Sequence, residues 1–371
     1  MNSDGEKELC CLAKRPTHVV IIGAGPAGTA TAIQCAMVGL NVTVVERESF
    51  LRHRPGETLH PGVEPLFSQL GVAKAIARAD FPRHEGHWLC WSGVRRFQAY
   101  GKDSHGPWKG FQAWRGTLDS ILLQRARSLG TKVLQPCRCI KPLIDHGRIA
   151  GILLSSGPLF ADYVVDAAGG SHWLARRIGL HVETRSPPLI ADYGYVQGPQ
   201  TKHFEQPLWE ADRAGWSWMA QVRPGCYHWT RLNLHCRIGS TVEDTPRALR
   251  RLGDAAKRFR ADVTWRRITR PAGPGYFLAG DAAMVVDPAS SHGVLRALMS
   301  GMMVGHLIAQ STSKRQQDFQ SATWYCGWMQ QWFENDVRRL AELYAKLPLA
   351  PAWCQRDLPV GVPNGATNPF N

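Results

Sequence analysis

Gly23-Ala24-Gly25-Pro26-Ala27-Gly28, followed at some distance by Glu46, has the residue types and spacing that hold a dinucleotide. Gly23 permits a tight turn, Gly25 lets the main chain approach a pyrophosphate, and Gly28 lets a helix pack closely on the preceding strand. A helix entered through Pro26 and Ala27 turns unpaired amides and a partial positive charge toward the phosphates. Glu46 can accept hydrogen bonds from both hydroxyls of a ribose, and Arg47 follows it directly.

A lone G-x-G-x-x-G is usually only a turn before a helix, so the flanking elements decide. His18 to Ile22 is a β-branched run long enough for one buried parallel strand. An Ala-rich stretch with helical spacing follows to about Gly39, and Asn41 to Val45 reads as a second strand ending at Glu46. Strand, loop, helix, strand and acid are in register, and an adenine dinucleotide is expected there.

With 371 residues, 44% hydrophobic and 20% charged, the chain has the composition of a globular protein with a sizeable core. The net charge of +14 suits an acidic partner or substrate. No block of basic residues, zinc-finger spacing or RNP-type motif is present, so nucleic acid is not expected. Ten scattered cysteines without a C-x-x-C pair predict reduced, mostly buried thiols and no metal site, as in a cytoplasmic protein. The first sixteen residues are polar and charged, so no signal peptide is expected. The longest apolar stretch, Val294 to Ile308, is interrupted by Arg296, Ser300, Gly301 and His306, which argues against a membrane span.

Further along, Pro61 opens a helix to about Leu70, and a second is expected from Val72 to Ala79. Residues 86–100 read as two strands around a Ser-Gly turn, with a loop over 101–110. Thr117 to Leu129 is a patterned helix, and 131–166 a series of short strands ending in Asp166-Ala167-Ala168-Gly169-Gly170. Trp173 to Gly179 is helical, and Ile190 to Leu234 is an aromatic-rich antiparallel sheet. Residues 244–260 read as a basic helix, Tyr276 to Ala279 as a strand, and the stretch from Gly293 to about Leu347 as mostly helical before an irregular tail. The fold class is therefore α/β, a Rossmann-type nucleotide-binding domain with an inserted β-sheet substrate domain and a helical C-terminal region. The expected divisions are 1–80, 110–180 and 264–312 for the first, 81–109 and 181–263 for the second, and 313–371 for the third.

The glycine loop with Glu46, Arg115 before a helix, DAAGG at 166–170 and GDAA at 280–283 followed by Asp287-Pro288-Ala289-Ser290-Ser291-His292-Gly293-Val294 resemble the para-hydroxybenzoate-hydroxylase-like flavoproteins. That group includes FAD monooxygenases, flavin-dependent halogenases and related reductases. Gly56-Glu57-Thr58-Leu59-His60-Pro61-Gly62 together with DPASSHGV is most similar to the LodB/GoxB type. The resemblance implies hydroxylation by FAD and O2 of a tryptophan in a partner polypeptide during tryptophylquinone biogenesis. The partner would be the precursor of a quinone-cofactor oxidase or dehydrogenase, and acidic. Asp281 would accept from a ribityl hydroxyl of FAD, or merely cap a helix. Pro288, Ser291, Gly293 and Val294 would bring amides to the flavin pyrimidine. Arg115 would reach a phosphate or ribose. His292 is the candidate acid/base, with Glu57 and His60 at the flavin and substrate cavity.

Departures from the halogenase pattern matter. Trp216 and Trp218 match G-W-x-W-x-I-P, but Met219-Ala220-Gln221 breaks it. The halogenase lysine is missing, since no Lys lies between Ala75 and Val94 and Lys74 falls within an expected helix. No second G-x-G-x-x-G is present, so NAD(P)H would act as a transient reductant or electrons would come from elsewhere. The competing readings are a hydroxylase or halogenase of a small aromatic metabolite, and a flavin-binding maturation chaperone without turnover.

Overall fold

The computed structural model describes residues 16–50, 54–91, 93–201, 204–235, 246–250, 255–313, 318–347 and 349–357. The expectations for a leader and for Cys10-Cys11, and most of the irregular tail, lie outside the described residues.

His18–Ile22 is the centre of a six-stranded sheet in the order Lys132–Leu134, Asn41–Val45, His18–Ile22, Tyr163–Asp166, Tyr276–Leu278, Ala272–Gly273. The first five strands are parallel and the last is antiparallel. Val19, Val20 and Ile21 have no exposed surface. Burial on both faces is why these strands read as continuous β-branched runs rather than alternations. The strand order reverses on either side of His18–Ile22, and the crevice beyond the C-terminal ends of its strands is where such sheets bind ligands.

The helix Pro26–Met37 covers one face and crosses the long helix Gly293–Ser313. Small residues allow that crossing. A Cβ on Gly301 would stand 2.2 Å from the Ala27 carbonyl oxygen, and one on Gly305 would stand 2.7 Å from Gln34 Cβ. Sequence positions nearly three hundred apart are thereby locked together around the glycine loop.

The second large sheet has seven strands, ordered Ala255–Asp262, Ile190–Gln197, Cys226–Asn233, Gly215–Arg223, Leu208–Ala211, Gly86–Trp91, Val94–Ala99. All neighbours are antiparallel except Leu208–Ala211 with Gly86–Trp91. Its outer face buries Val196, Met219, Tyr227 and Trp229 in a satellite core. Its inner face, carrying Tyr193, Tyr195, Trp218, His228 and His87, is turned toward the strip that follows Pro55.

Two expectations are corrected. Of residues 244–260, only Arg247–Arg250 is helical among those described, and Ala255–Asp262 is an edge strand. Arg258 Nε and Arg260 Nε both reach Asp192 Oδ1 at 3.1 Å, and extended backbone places residues two apart on one face where a helix would not. Arg115 is the first residue of the helix Arg115–Ser128 rather than a residue ahead of it. The last described segment, Ala352–Asp357, is a short 3-10 helix whose Cys354 is buried and whose Trp353 meets Trp265 edge-on at 5.0 Å. The seven described cysteines form no disulfide with one another. Among the described residues no helix is long and apolar enough to cross a membrane.

Candidate active site

The glycine loop sits at the strand-order reversal, fastened on both sides. The Gly23 amide donates to the Val45 carbonyl at 2.8 Å, and the Ala167 amide to the Ile22 carbonyl at 2.8 Å. Gly23 has φ +102°, and a Cβ there would lie 2.5 Å from the Ala167 oxygen. A Cβ on Gly28 would lie 1.9 Å from the Gly23 oxygen. Both glycines are therefore required by the fold. Gly25, the N-cap of the helix, has extended backbone at φ −77° and ψ −177° that any residue adopts. The helix start has no capping side chain and no acid in its first turn, so its amides are suited to a phosphate. Glu46 is buried and aimed by two amides, Ala24 N to Oε2 at 2.8 Å and Glu48 N to Oε1 at 2.9 Å. Arg47 is half-exposed and pairs with Glu48 at 3.3 Å.

The segment at 280–294 closes the same place. Gly280, at φ +60°, brings the chain so near the glycine loop that a Cβ would lie 3.0 Å from Ala27 Cβ. Asp281 follows with its carboxylate half-exposed. Pro288–Ser290 is a 3-10 turn capped by Asp287, and Ser291 is left-handed at φ 53°. The long helix then starts at Gly293, where the Gly293 and Val294 amides have no carbonyl one turn earlier. A Cβ on Gly56 would meet Arg115 Nη1 at 3.2 Å and Val294 Cγ2 at 3.6 Å, so Arg115 and Val294 converge on the Pro55-Gly56 turn. The Arg115 fork is largely engaged, by Asp119 at 3.0 and 3.2 Å and by the Pro55 carbonyl at 2.6 Å. Glycines whose Cβ would clash, an uncapped helix start and two carboxylates in reach fit an adenine dinucleotide.

Beyond this lies a cluster of contacting rings. His60 meets Tyr100 at 5.4 Å and His292 at 5.6 Å, and His87 meets Tyr100 at 6.1 Å and Trp218 at 5.6 Å. Trp218 Nε1 donates to Thr58 Oγ1 at 3.1 Å, which stitches the sheet to the strip at 56–62. His60 Nδ1 accepts from the Gly62 amide at 3.0 Å, so the neutral ring carries its proton on Nε2. Burial and the neighbouring His292 lower the His60 pKa. Burial, with His84 adding repulsion, holds His87 down to about 4. The His87 Nδ1 and Gln112 Nε2 atoms are buried with no hydrogen-bond partner among the described residues.

Glu57, grouped with His60 and His292 by sequence, has a different setting. Its buried carboxylate accepts from Tyr195 OH and lies 3.7 Å from His228 Nδ1, so it fastens the strip to the sheet. His60 and His292 are the pair that the fold brings together.

A second network escaped the sequence. Arg296, 1% exposed, donates from Nη1 to Asp336 Oδ2 at 3.2 Å and from Nη2 to Asp281 Oδ1 at 3.3 Å. Asp336 Oδ1 in turn lies 3.6 Å from His292 Nδ1. Asp281 and His292 are thus joined through a buried arginine and a carboxylate of the last long helix, Asp318–Tyr344. An arginine inside an apolar helical run was the available signal, because a buried cation requires a partner. Nothing in the sequence marks Asp336.

Asp287 is wholly buried and accepts from Trp265 Nε1 and Tyr344 OH, each at 2.7 Å, and from the Ala289 amide at 2.9 Å. Burial raises its pKa to about 6 against those three donors. Its folded pKa is above the unfolded value, so the stability it contributes is full below about pH 4 and is lost as pH rises through about 6. Wild-type stability measured against an Asp287→Asn variant should therefore fall between pH 4 and 7, by about 2–3 kcal/mol. Denaturant unfolding at several pH values reads this, and a pH-independent difference would contradict it.

Residues 16–196 match the family model described as an FAD binding domain, and FAD is the cofactor of this protein. The tryptophan 2-halogenase of Chondromyces crocatus is 26% identical over 335 residues, covering 83% of this chain and 63% of that protein. The chain thus spans less than two thirds of that relative's length. Two solved structures share the fold. The myxobacterial chondrochloren halogenase CndH superposes with a TM-score of 0.81 at 22% identity, covering 93% of this chain and 87% of that one. The peptidyl tryptophan dihydroxylase QhpG, essential for tryptophylquinone cofactor biogenesis, superposes with a TM-score of 0.72 at 23% identity, covering 92% and 78%.

Proposed function

We propose that this FAD-dependent protein is a monooxygenase that hydroxylates a tryptophan side chain of a partner polypeptide, as in maturation of a tryptophylquinone cofactor. The observation that carries the reading is the cluster of rings beside the cofactor segments. Its contacting rings are His60, His87, Tyr100, Trp218 and His292, and no ammonium group is among them. Lys74 is exposed, on the helix Ala73–Arg78. A cluster of aromatic and largely neutral imidazole rings suits an uncharged, electron-rich ring. It offers no amine to carry an activated halogen.

When bound, FAD would supply two electrons for activation of O2, one oxygen atom entering the ring and the other leaving as water. A hydride donor such as NAD(P)H, or another reductant, restores the electrons. The remaining tasks belong to the chain. The Gly23–Gly28 loop, Glu46 and Asp281 bind the cofactor, with Arg115 stiffening the Pro55-Gly56 turn against Val294. Pro288 and left-handed Ser291 shape the turn that delivers the Gly293 and Val294 amides, whose dipole steadies negative charge on the cofactor. His292, oriented by Asp336, holds or delivers a proton, and His60 Nε2–H adds a donor to the same cluster. Glu57 keeps that cluster attached to the sheet. A chain charge of +14 would complement an acidic precursor. The structural likeness to QhpG supports this reading.

Similarity to a tryptophan 2-halogenase favours a second reading, halogenation of an aromatic substrate. One experiment separates the two. FAD-loaded protein with NADH or NADPH, O2 and bromide is offered free tryptophan, a short tryptophan peptide and an intact quinoprotein precursor, followed by oxygen uptake and mass analysis. Oxygen-coupled gain of one or two oxygen atoms on the peptide or precursor is expected, with little turnover of free tryptophan, because the partner completes the site. Comparable turnover of free tryptophan would indicate a small-molecule hydroxylase, and a brominated product would establish the second reading.

A further inference from the structure

We infer that the groove between the two long C-terminal helices is the docking track for the substrate polypeptide, built for an extended segment with an aromatic residue and acidic flanks. This rests on the proposed function and adds to it where the partner lies and what chemistry it presents.

The aromatic-rich sheet cannot play this part. Its Trp209, Trp216, Trp229 and Tyr227 are core residues with at most 4% exposure. Phe97, Trp108 and Phe160 are exposed elsewhere, but the helix Asp318–Tyr344 carries the continuous aromatic stripe. Phe319 is 81% exposed and Trp324 is 50% exposed. Trp324 stacks on Trp328 at 6.0 Å with planes 10° apart, and Trp328 meets Trp332 edge-on at 5.2 Å. Spacing of four residues places these three indoles in one stripe along the helix.

Beside the stripe is a cleft of about 360 Å³, with Leu295 and Met299 on one wall, Trp328 and Trp332 on the other, and His292 within it. The cleft therefore reaches the residue whose ring contacts His60 at 5.6 Å in the ring cluster. The track and the reaction site share His292.

The polar members of the cleft identify the occupant. Gln331, Asn335 and Arg339 recur every four residues along the rim. Primary amides carry both a donor and an acceptor, which matches the exposed main chain of an extended peptide. Arg339 is exposed, and among the described residues no carboxylate pairs with it. The cleft's Asp336 is already bound to Arg296. The available charge is therefore positive, complementary to an acidic flank, while the indole faces accept an aromatic or apolar side chain. A lipid surface would not use the amide pair, and a small metabolite would not need the stripe that extends outward to Trp324 and Phe319.

The test uses full-length, FAD-loaded protein and fluorescence anisotropy of labelled nine-residue peptides with one central tryptophan, flanked by aspartate and glutamate or by lysine. The acidic peptide should bind at least tenfold tighter than the lysine peptide at low salt, with the advantage shrinking as salt rises. Arg339→Glu should weaken the acidic peptide at least tenfold and reverse the preference. Trp332→Ala should weaken both peptides alike, with flavin content and thermal midpoint serving as controls for folding. Equal binding of the two peptides, or binding untouched by Arg339→Glu, would overturn the proposal. So would light scattering that shows a dimer dissociated by Trp324→Asp, since the stripe would then pair two copies of the chain. Product formation is read separately, by mass analysis of the same peptides after incubation with NADPH and O2. Peptide bound on the track without hydroxylation would sink the monooxygenase reading alone, and hydroxylation unaffected by both variants would sink the track alone.

Discussion

Gly25→Val is expected to yield a folded protein that has lost its flavin, the flavin-to-protein ratio falling roughly tenfold or more. The backbone at Gly25 is extended, so valine enters without strain at this φ and ψ. Valine at an N-cap costs about 1 kcal/mol relative to a favoured cap, too little to unfold a protein of this size. What valine changes is the approach, because its methyl groups stand where a pyrophosphate must meet the backbone. Gly28→Ala gives a contrasting result. Its Cβ would fall 1.9 Å from the Gly23 oxygen, so helix and loop must separate and stability falls along with flavin content. Absorbance of the purified proteins together with urea unfolding separates ligand exclusion from misfolding. A full flavin spectrum in Gly25→Val would mean that the loop is wrongly assigned.

The second large effect is at Arg296. Arg296→Met removes the partner of Asp336, whose side chain is 3% exposed, and leaves a buried carboxylate uncompensated. Breaking a buried ion pair from one side costs about 3–5 kcal/mol, a large share of the stability of a typical domain. Asp281 contributes less, since its side chain is 53% exposed and water screens it. Adding Asp336→Leu to Arg296→Met should restore much of the loss, because an apolar pair of similar volume replaces the ionic one. Chemical denaturation of the two single variants and the double variant reads the coupling. Strictly additive losses would show that the pair contributes nothing as a pair. The double variant should still carry FAD, with His292 no longer oriented through Asp336.

Local order was legible in the residues. His18–Ile22 and Asn41–Val45 fold as strands over the spans their β-branched runs mark, because both faces are buried and nothing competes with propensity. The glycine loop, Glu46, and the Gly280-Asp281 and Asp287–Val294 segments were expected to neighbour one cofactor, and the chain sets Glu46 and Gly280 against the loop and Val294 against Gly56. Basic residues over 244–260 misled, since charge and helical spacing say nothing of a vacant sheet edge beside Ile190–Gln197. There Asp192 takes both Arg258 and Arg260. Propensity is a weak prior wherever a neighbouring strand offers a ladder.

By itself the sequence determined that a dinucleotide is bound, since strand, glycine loop, helix, strand and Glu46 follow one another within thirty residues. Only the tertiary structure decided which rings meet beside the cofactor segments. His60, His87, Tyr100, Trp218 and His292 come from five separate elements, and their meeting depends on how one sheet is laid against the other. Glu57 passed from candidate catalyst to anchor for the same reason, because Tyr195 and His228 arrive from strands more than a hundred residues away. Asp336 entered the site from the last long helix, held by an arginine whose charge could not be buried alone. Close steric constraints are written in local spacing, whereas a ring cluster is a property of packing between distant surfaces.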